Sequence, residues 1–242
     1  MDKKLAFKRV LLKISGENFG SEKLGLDFSK VSEIAAIIRK VRKNTGVELA
    51  VVVGAGNLFR SRFVENTKVD ITTADQIGMM GTVMNALALQ EEVERLGNNT
   101  RVMSAIPIPA ICELFIRRRA LRHLEKGRIV ILAGGTGNPH FTTDSAAALR
   151  SVELRCDVLL KAASNVDGVY EKDPKVDPKA KKIDYINYQD ALERGIKVMD
   201  NTAFALCQAK HMPIVVFNLS EENIEKILRG ERVGTLVADK PL

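Results

Sequence analysis

The sequence predicts an α/β protein, a three-layer αβα sandwich around a mostly parallel central sheet. Two observations carry this expectation. Short apolar runs rich in Val, Ile and Leu alternate along the chain with stretches of helical periodicity. The runs are apolar at nearly every position, the pattern of strands covered by helices on both faces. Composition agrees: of 242 residues, 45% are hydrophobic and 28% charged, enough for a sizeable aliphatic core. Aromatics are 5% and Trp is absent, so aliphatic side chains must fill that core.

Taken in order, Val10-Leu11-Leu12 with Ile14 reads as a buried strand. Val31, Ile34, Ala35, Ile38 and Val41 fall at helical spacing, with Ser29 as an N-cap before them. Leu49 to Val53 is a β-branched run that stops at Gly54. Thr73 to Leu96 reads as a long helix stopped by Gly97. Val102 to Ile106 is a strand ending at Pro107, and Leu114 to Leu124 a helix stopped by Gly127. Ile129 to Leu132 is a strand ending at Gly134-Gly135. Ser145 to Leu154 is helical and Val158 to Leu160 a strand. Ala203 to Lys210 is helical, Ile214 to Phe217 a strand, and Ile224 to Leu228 a short helix. No internal repeat and no Pro/Ser-rich linker divides the chain. Residues 1–242 therefore read as one domain.

Several function classes are excluded. No run approaches the ~18 apolar residues of a membrane span. Met1-Asp2-Lys3-Lys4 leads into too short an apolar stretch for a signal peptide. Cys112, Cys156 and Cys207 are far apart and odd in number, so neither a disulfide scaffold nor a Cys-x-x-Cys metal site is expected. A cytoplasmic, reduced protein is the expectation. The net charge is 37 − 30 = +7, which suits nucleic acid or anionic small molecules such as nucleotides. The densest basic cluster, Arg117-Arg118-Arg119 with Arg122, lies on a helical stretch without interleaved aromatics and reads as a solvated face.

Open α/β sheets bind ligands outside the carboxyl ends of their strands, and four strand ends here run into unusual loops. They are Lys13-Ile14-Ser15-Gly16-Glu17; Gly54-Ala55-Gly56-Asn57-Leu58-Phe59-Arg60; Gly134 to Pro139 followed by Phe141-Thr142-Thr143-Asp144-Ser145; and Asn165 to Tyr170 with Asp173-Pro174. Glycine lets a backbone approach a ligand closely, and turn amides favour phosphate. One such loop is commonly only a turn. Four together suggest a site for more than one phosphate-bearing ligand. Position 59 is Phe where a dinucleotide fingerprint has its third Gly, and no Lys precedes Ser or Thr as in a P-loop. Lys13, inside an apolar run, marks an edge strand or snorkelling side chain, or else a cation aimed at a transferring phosphoryl group. Asp144 opens a helix, where a carboxylate caps. Asp75 lies early in another, where the macrodipole favours acids.

As a set, these loops closely resemble the bacterial uridylate kinases (UMP kinases) of the amino-acid-kinase fold family. The matching stretches are Arg9 to Glu17, Gly56 to Arg60, Asp75 with Gly78-Met79-Met80 and Thr82 to Asn85, and Met103 to Ile106. Others are Gly135 to Ala147, Val166 to Tyr170, and Lys197-Val198-Met199-Asp200. The resemblance spans about residues 7 to 237. It implies transfer of the ATP γ-phosphoryl to UMP with Mg²⁺, in pyrimidine nucleotide biosynthesis, by a homohexamer that GTP or UTP regulates. It also implies residue roles. Lys13, Ile14, Ser15 and Gly16 would line the ATP phosphates, with Gly56 and Arg60. Asn165, Tyr170 and Asp173 would hold the ATP base and ribose. Ala55, Asp75, and Thr136, Gly137, Asn138, Pro139, His140, Phe141, Thr142 and Thr143 would hold UMP. Lys13, Asp144 and Arg60 would be catalytic, Asp144 orienting Lys13. Residues up to about 150 would serve acceptor and catalysis, the remainder the ATP side. No protein ligand for the metal is assigned.

The chain departs from the usual family pattern at Ala55, at Ser61-Arg62 after Arg60, at His140 where many relatives have Phe, and at Gln90 where GTP-activated relatives have Arg. Rival readings are a kinase of a small carboxylate or carbamate, a nucleotide sensor without catalysis, and a nucleic-acid-binding protein resting on charge alone.

Overall fold

A computed structural model describes residues 5–60, 64, 67–164, 166–172, 174, 176–177 and 179–241. Its strands are β1 (Arg9–Ile14), β2 (Glu48–Val53), β3 (Thr100–Ser104), β4 (Glu113–Leu114), β5 (Ile129–Ala133), β6 (Val158–Ala163), β7 (Val169–Tyr170), β8 (Lys182–Ile183), β9 (Tyr185–Ile186), β10 (Ile214–Asn218) and β11 (Thr235–Val237). Its α-helices are α1 (Phe28–Thr45), α2 (Ile71–Arg95), α3 (Arg117–Glu125), α4 (Thr143–Glu153), α5 (Tyr188–Glu193), α6 (Asn201–Ala209) and α7 (Glu221–Leu228); a 3₁₀ turn covers Gly16–Phe19.

Nine strands form one sheet in the order β4-β3-β5-β2-β1-β6-β10-β11-β9. Every neighbouring pair is parallel except β10 with β11. Strand side chains alternate between faces, and two cores result. Val10, Leu12 and Ile14 of β1 join α1, α2 and α7 on one face. Leu11 joins α3, α4, α5 and α6 on the other. The aliphatic core and the predicted three layers are present.

Local chemistry sets the boundaries. Asp27, not Ser29, caps α1, because its carboxylate accepts from the Ser29 N–H; Gly46 ends the helix in a left-handed conformation (φ 68°). The predicted helix from Leu114 begins only at Arg117: Glu113-Leu114 instead pairs with Met103-Ser104 as an edge strand. The strand expected to reach Ile106 ends at Ser104. The sequence reading also omitted β7, β8, β9, α5 and β11, all of six residues or fewer, too short for a periodicity signal.

β1 lies inside the sheet between β2 and β6, so the edge-strand reading of Lys13 fails. The chain leaves β1 toward β2 on one side and returns through β6 on the other. The crevice at that reversal, outside the carboxyl ends of the strands, is where open α/β sheets bind ligands.

Candidate active site

Strand parity places the charges. Lys13 is two residues beyond Leu11, and Lys161 two beyond Leu159, so both lysines face the side covered by α4. They are register partners across β1 and β6. Between them sits Asp144, in the first turn of α4. Lys13 Nζ lies 2.9 Å from Asp144 Oδ1, and Lys161 Nζ 2.6 Å from Oδ2. Lys161 also donates to the Val198 carbonyl at 2.8 Å.

The two contacts differ in kind. The Lys161 ammonium donates a well-directed hydrogen bond to Asp144. The Lys13 contact is longer and less well directed at Asp144 Oδ1. We read the Lys13 contact as a charge pair. Burial pushes the Asp144 carboxyl upward, but the charges of Lys13 and Lys161 outweigh it and hold the group below the ordinary value. Burial lowers the Lys161 ammonium; Asp144 opposes that shift and Lys13 adds to it. The capping reading of Asp144 is set aside: the Thr142 hydroxyl caps α4, accepting from the Asp144 and Ser145 N–H groups. Asp200 caps α6 through the Ala203 N–H and accepts from the hydroxyls of Thr142 and Ser145, fixing the start of α4.

Above this floor opens a cleft of about 580 Å³. Lys13, Ser15, Gly16, Ala55, Gly56, Arg60, Asp75, His140, Phe141, Thr142 and Thr143 line it. The first two glycine loops meet there backbone to backbone. A Cβ on Gly16 would lie 2.2 Å from the Gly56 nitrogen, so only glycine permits the approach. Helix α2 holds two of the loops. Asn85, fully buried, donates to the Gly54 carbonyl at 2.7 Å, and the Thr82 hydroxyl accepts from the Gly134 N–H at 2.8 Å. Asp75 accepts from the His140 N–H at 2.8 Å, which fixes that loop where His140 adopts φ 68°. Ala55 has no positive φ, and its methyl faces Gly81 of α2, where an added Cβ would come within 2.9 Å. The departure at Ala55 thus imposes no left-handed strain.

Other expected residues stand apart from the cleft wall. Ile14 is buried in the core, which leaves its backbone to face a ligand. Thr136, Gly137, Asn138 and Pro139 form the turn leading into the wall; the Thr136 hydroxyl bonds the Asn138 carbonyl at 3.2 Å. Tyr170 lies on β7 and donates to Asp167 at 2.6 Å. Asn165 and Asp173, and the departure at Ser61-Arg62, fall outside the described residues. Sequence reasoning missed Lys161 as a site residue. A partial signal exists, since Val158-Leu159-Leu160-Lys161 repeats the pattern of Val10-Leu11-Leu12-Lys13, but only the register of β1 with β6 pairs the two lysines.

A parallel sheet at whose point of reversal two lysines share a buried carboxylate, beneath glycine loops joined backbone to backbone, defines an α/β protein built to receive polyanions. The chain belongs to the amino acid kinase family, whose sequence profile matches residues 8–218. It is 50% identical to a protein of Nocardioides named uridylate kinase, over 96% of this chain and 98% of that one. A Zymomonas mobilis protein of the same name is 49% identical over 99% of each chain. The crystal structure of a UMP kinase from Bacillus anthracis superposes with a TM-score of 0.92 at 37% identity, covering 97% of both chains.

Proposed function

We propose that this chain is a UMP kinase, transferring the ATP γ-phosphoryl to UMP to give UDP and ADP. The observation that carries the reading is Lys13, which lines the cleft and is backed by Asp144 and Lys161, taken with the uridylate kinases the chain resembles over nearly its full length. Phosphoryl transfer asks for positioning and charge neutralisation rather than covalent help. Lys13 lines the cleft while paired with Asp144, and its ammonium carries N–H groups beyond that contact for the transferring phosphoryl. Lys161, anchored to Asp144 and the Val198 carbonyl, serves as the fixed second cation on the donor side. The Ser15 and Gly16 backbone, with Gly56 and Arg60, holds ATP phosphates. Ala55, Asp75 and the segment from Thr136 to Thr143 hold UMP, with Asp75 accepting from the acceptor ribose. Asn165, Tyr170 and Asp173 are assigned to the ATP base and ribose. On this reading residues up to about 150 carry acceptor and catalysis, the remainder the ATP side.

Mg²⁺ fits this arrangement as a companion of the nucleotide. Asp144 is already engaged by two ammonium groups, and the described residues hold no cluster of three His, Cys, Asp or Glu able to cage a metal. Mg²⁺ commonly binds through substrate phosphates and water with few protein groups; when bound it supplies charge neutralisation at the phosphates.

No helix among the described residues is long and apolar enough to cross a membrane. A cytoplasmic place in pyrimidine nucleotide biosynthesis is carried from the resemblance. Helix α2 offers a face for self-association: Ile77, Met80 and Met84 remain exposed while Val83 and Leu89 fill the protein's own core; a homohexamer is carried from the resemblance. GTP or UTP control is carried from the resemblance alone.

The test is ADP release from ATP–Mg²⁺ with UMP, CMP, dUMP, glutamate and acetylglutamate offered in turn. UMP should be strongly preferred over CMP, because a directional hydrogen-bond site penalises a changed exocyclic group. Equal turnover of CMP, or turnover of an amino-acid acceptor instead, would overturn the assignment.

A further inference from the structure

We propose that Glu17 is a positioning residue of the nucleotide site, acting through Arg60; the inference rests on the kinase reading above. Glu17 follows Gly16 in the 3₁₀ turn Gly16–Phe19, and Arg60 lies seven residues beyond the end of β2 at Val53. Both line the cleft. The Arg60 guanidinium is held at two points: Nε–H donates to the Gly56 carbonyl at 2.9 Å, and Nη2 pairs with Glu17 Oε1. It lies flat against the loop, since a Cβ on Gly56 would come within 3.1 Å of Nε and 3.3 Å of Nη2. The result is a closed ring. Gly16 touches Gly56 through the backbone, Gly56 holds Arg60, Arg60 pairs with Glu17, and Glu17 is bonded to Gly16.

Two features argue for orientation rather than stability. The side chains are 26% and 40% exposed, and an ion pair so open to water adds little to folding. Arg60 unpinned would spread over many rotamers, and an arginine meets phosphate well only when its planar fork is correctly aimed. The described contacts use Nε–H and one Nη2 hydrogen of the five a guanidinium carries. Glu17 therefore aims the fork without consuming it. The alternative is competition, in which the carboxylate occupies Arg60 until phosphate displaces it. That predicts the opposite sign on removal.

The experiment is a double-mutant cycle read by calorimetric titration with UMP and, separately, with ADP–Mg²⁺, using wild type, Glu17→Ala, Arg60→Ala and the double variant. Glu17→Gln and Glu17→Asp serve as conservative controls, with circular dichroism checking the fold. Glu17→Ala should weaken whichever nucleotide Arg60→Ala weakens, on the order of tenfold, the scale of one charge-assisted hydrogen bond. The double variant should match Arg60→Ala within about twofold. Glu17→Asp should recover part of the loss, and in Glu17→Ala any change in KM and kcat should follow that of Arg60→Ala in direction. Unchanged or tighter binding in Glu17→Ala, or losses that add in the double variant, would overturn the proposal. If wild type binds both nucleotides but leaves UMP unphosphorylated, the kinase reading falls while the Glu17–Arg60 coupling is still decided. Failure to bind either nucleotide would overturn both.

Discussion

Lys13 and Lys161 stand side by side on adjacent parallel strands, and one carboxylate, Asp144, sits within 2.9 Å of the first ammonium and 2.6 Å of the second. Two like charges this close require the anion between them. The asymmetry matters as much as the proximity: Lys161 is hydrogen-bonded twice and Lys13 is paired without alignment. Lys161 is bonded to Asp144 and to the Val198 carbonyl, and Lys13, paired with the same carboxylate, lines the cleft.

Lys13→Ala should fold and lose most of its turnover. Charge developing in the transition state gains more from a preorganised cation than the ground state does. Removing one such donor lowers kcat by roughly 10²–10³, or about 3–4 kcal/mol. Steady-state kinetics with circular dichroism on the same preparation checks this; near-full kcat in a folded variant would make Lys13 a snorkelling strand residue.

Lys161 should set an alkaline limit. Its ammonium titrates below the ordinary 10.5 because burial disfavours the charge, Asp144 offsetting part of this and Lys13 adding to it. The folded protein therefore loses this proton before the unfolded chain does. As pH rises through the folded value, kcat should fall, while the residue's own contribution to stability rises between that value and 10.5. Lys161→Arg should move the alkaline limb of the kcat profile upward. An unmoved limb would assign it elsewhere. On the acid side, the Asp144 carboxyl is held below 3.8, so its ion pairs persist above that pH and are lost as pH falls through the folded value.

Asn85→Ala should cost about 1–3 kcal/mol in a urea titration, because the Gly54 carbonyl loses a buried donor. It should also raise KM, since α2 would no longer hold the Gly54–Gly56 loop. An Asn85→Ala protein of wild-type stability and KM would show that the loop is held by its neighbours alone.

Much of this was legible in the sequence, for identifiable reasons. The core strands carry apolar residues at nearly every position, so β1, β2, β5, β6 and β10 could be read directly. Lys13 stood out because a charge interrupts an apolar run, whereas Asp144 read locally as a helix cap and its link to Lys13 came from the family resemblance. Lys161 interrupts the same pattern yet was missed, since what gives it meaning is its register with Lys13, and no local signal encodes a pairing across about 150 residues. Thr82 and Asn85 fell within a stretch that carries the resemblance, but their roles were hidden likewise: on a helix, a polar residue announces neither its burial nor the loop it holds. The short pairings of β4, β7, β8, β9 and β11 depend on tertiary partners rather than on local propensity.

The exposed residues of α2 should govern assembly. Met80→Lys combined with Met84→Lys places charge on a face whose apolar side chains are about half exposed in the isolated chain. Light scattering should show a smaller species than wild type. An identical mass for both, or a monomeric wild type, would remove α2 from the interface.

The most direct test of the central claim is ³¹P NMR of wild type and Lys13→Ala incubated with UMP and ATP–Mg²⁺. Wild type should convert the UMP monophosphate resonance into the α and β resonances of UDP, matched by loss of the ATP γ signal, and Lys13→Ala should do so roughly 10²–10³ times more slowly. A wild-type sample in which the UMP resonance persists, or a Lys13→Ala sample that converts it at the wild-type rate, would contradict phosphoryl transfer to UMP by this lysine.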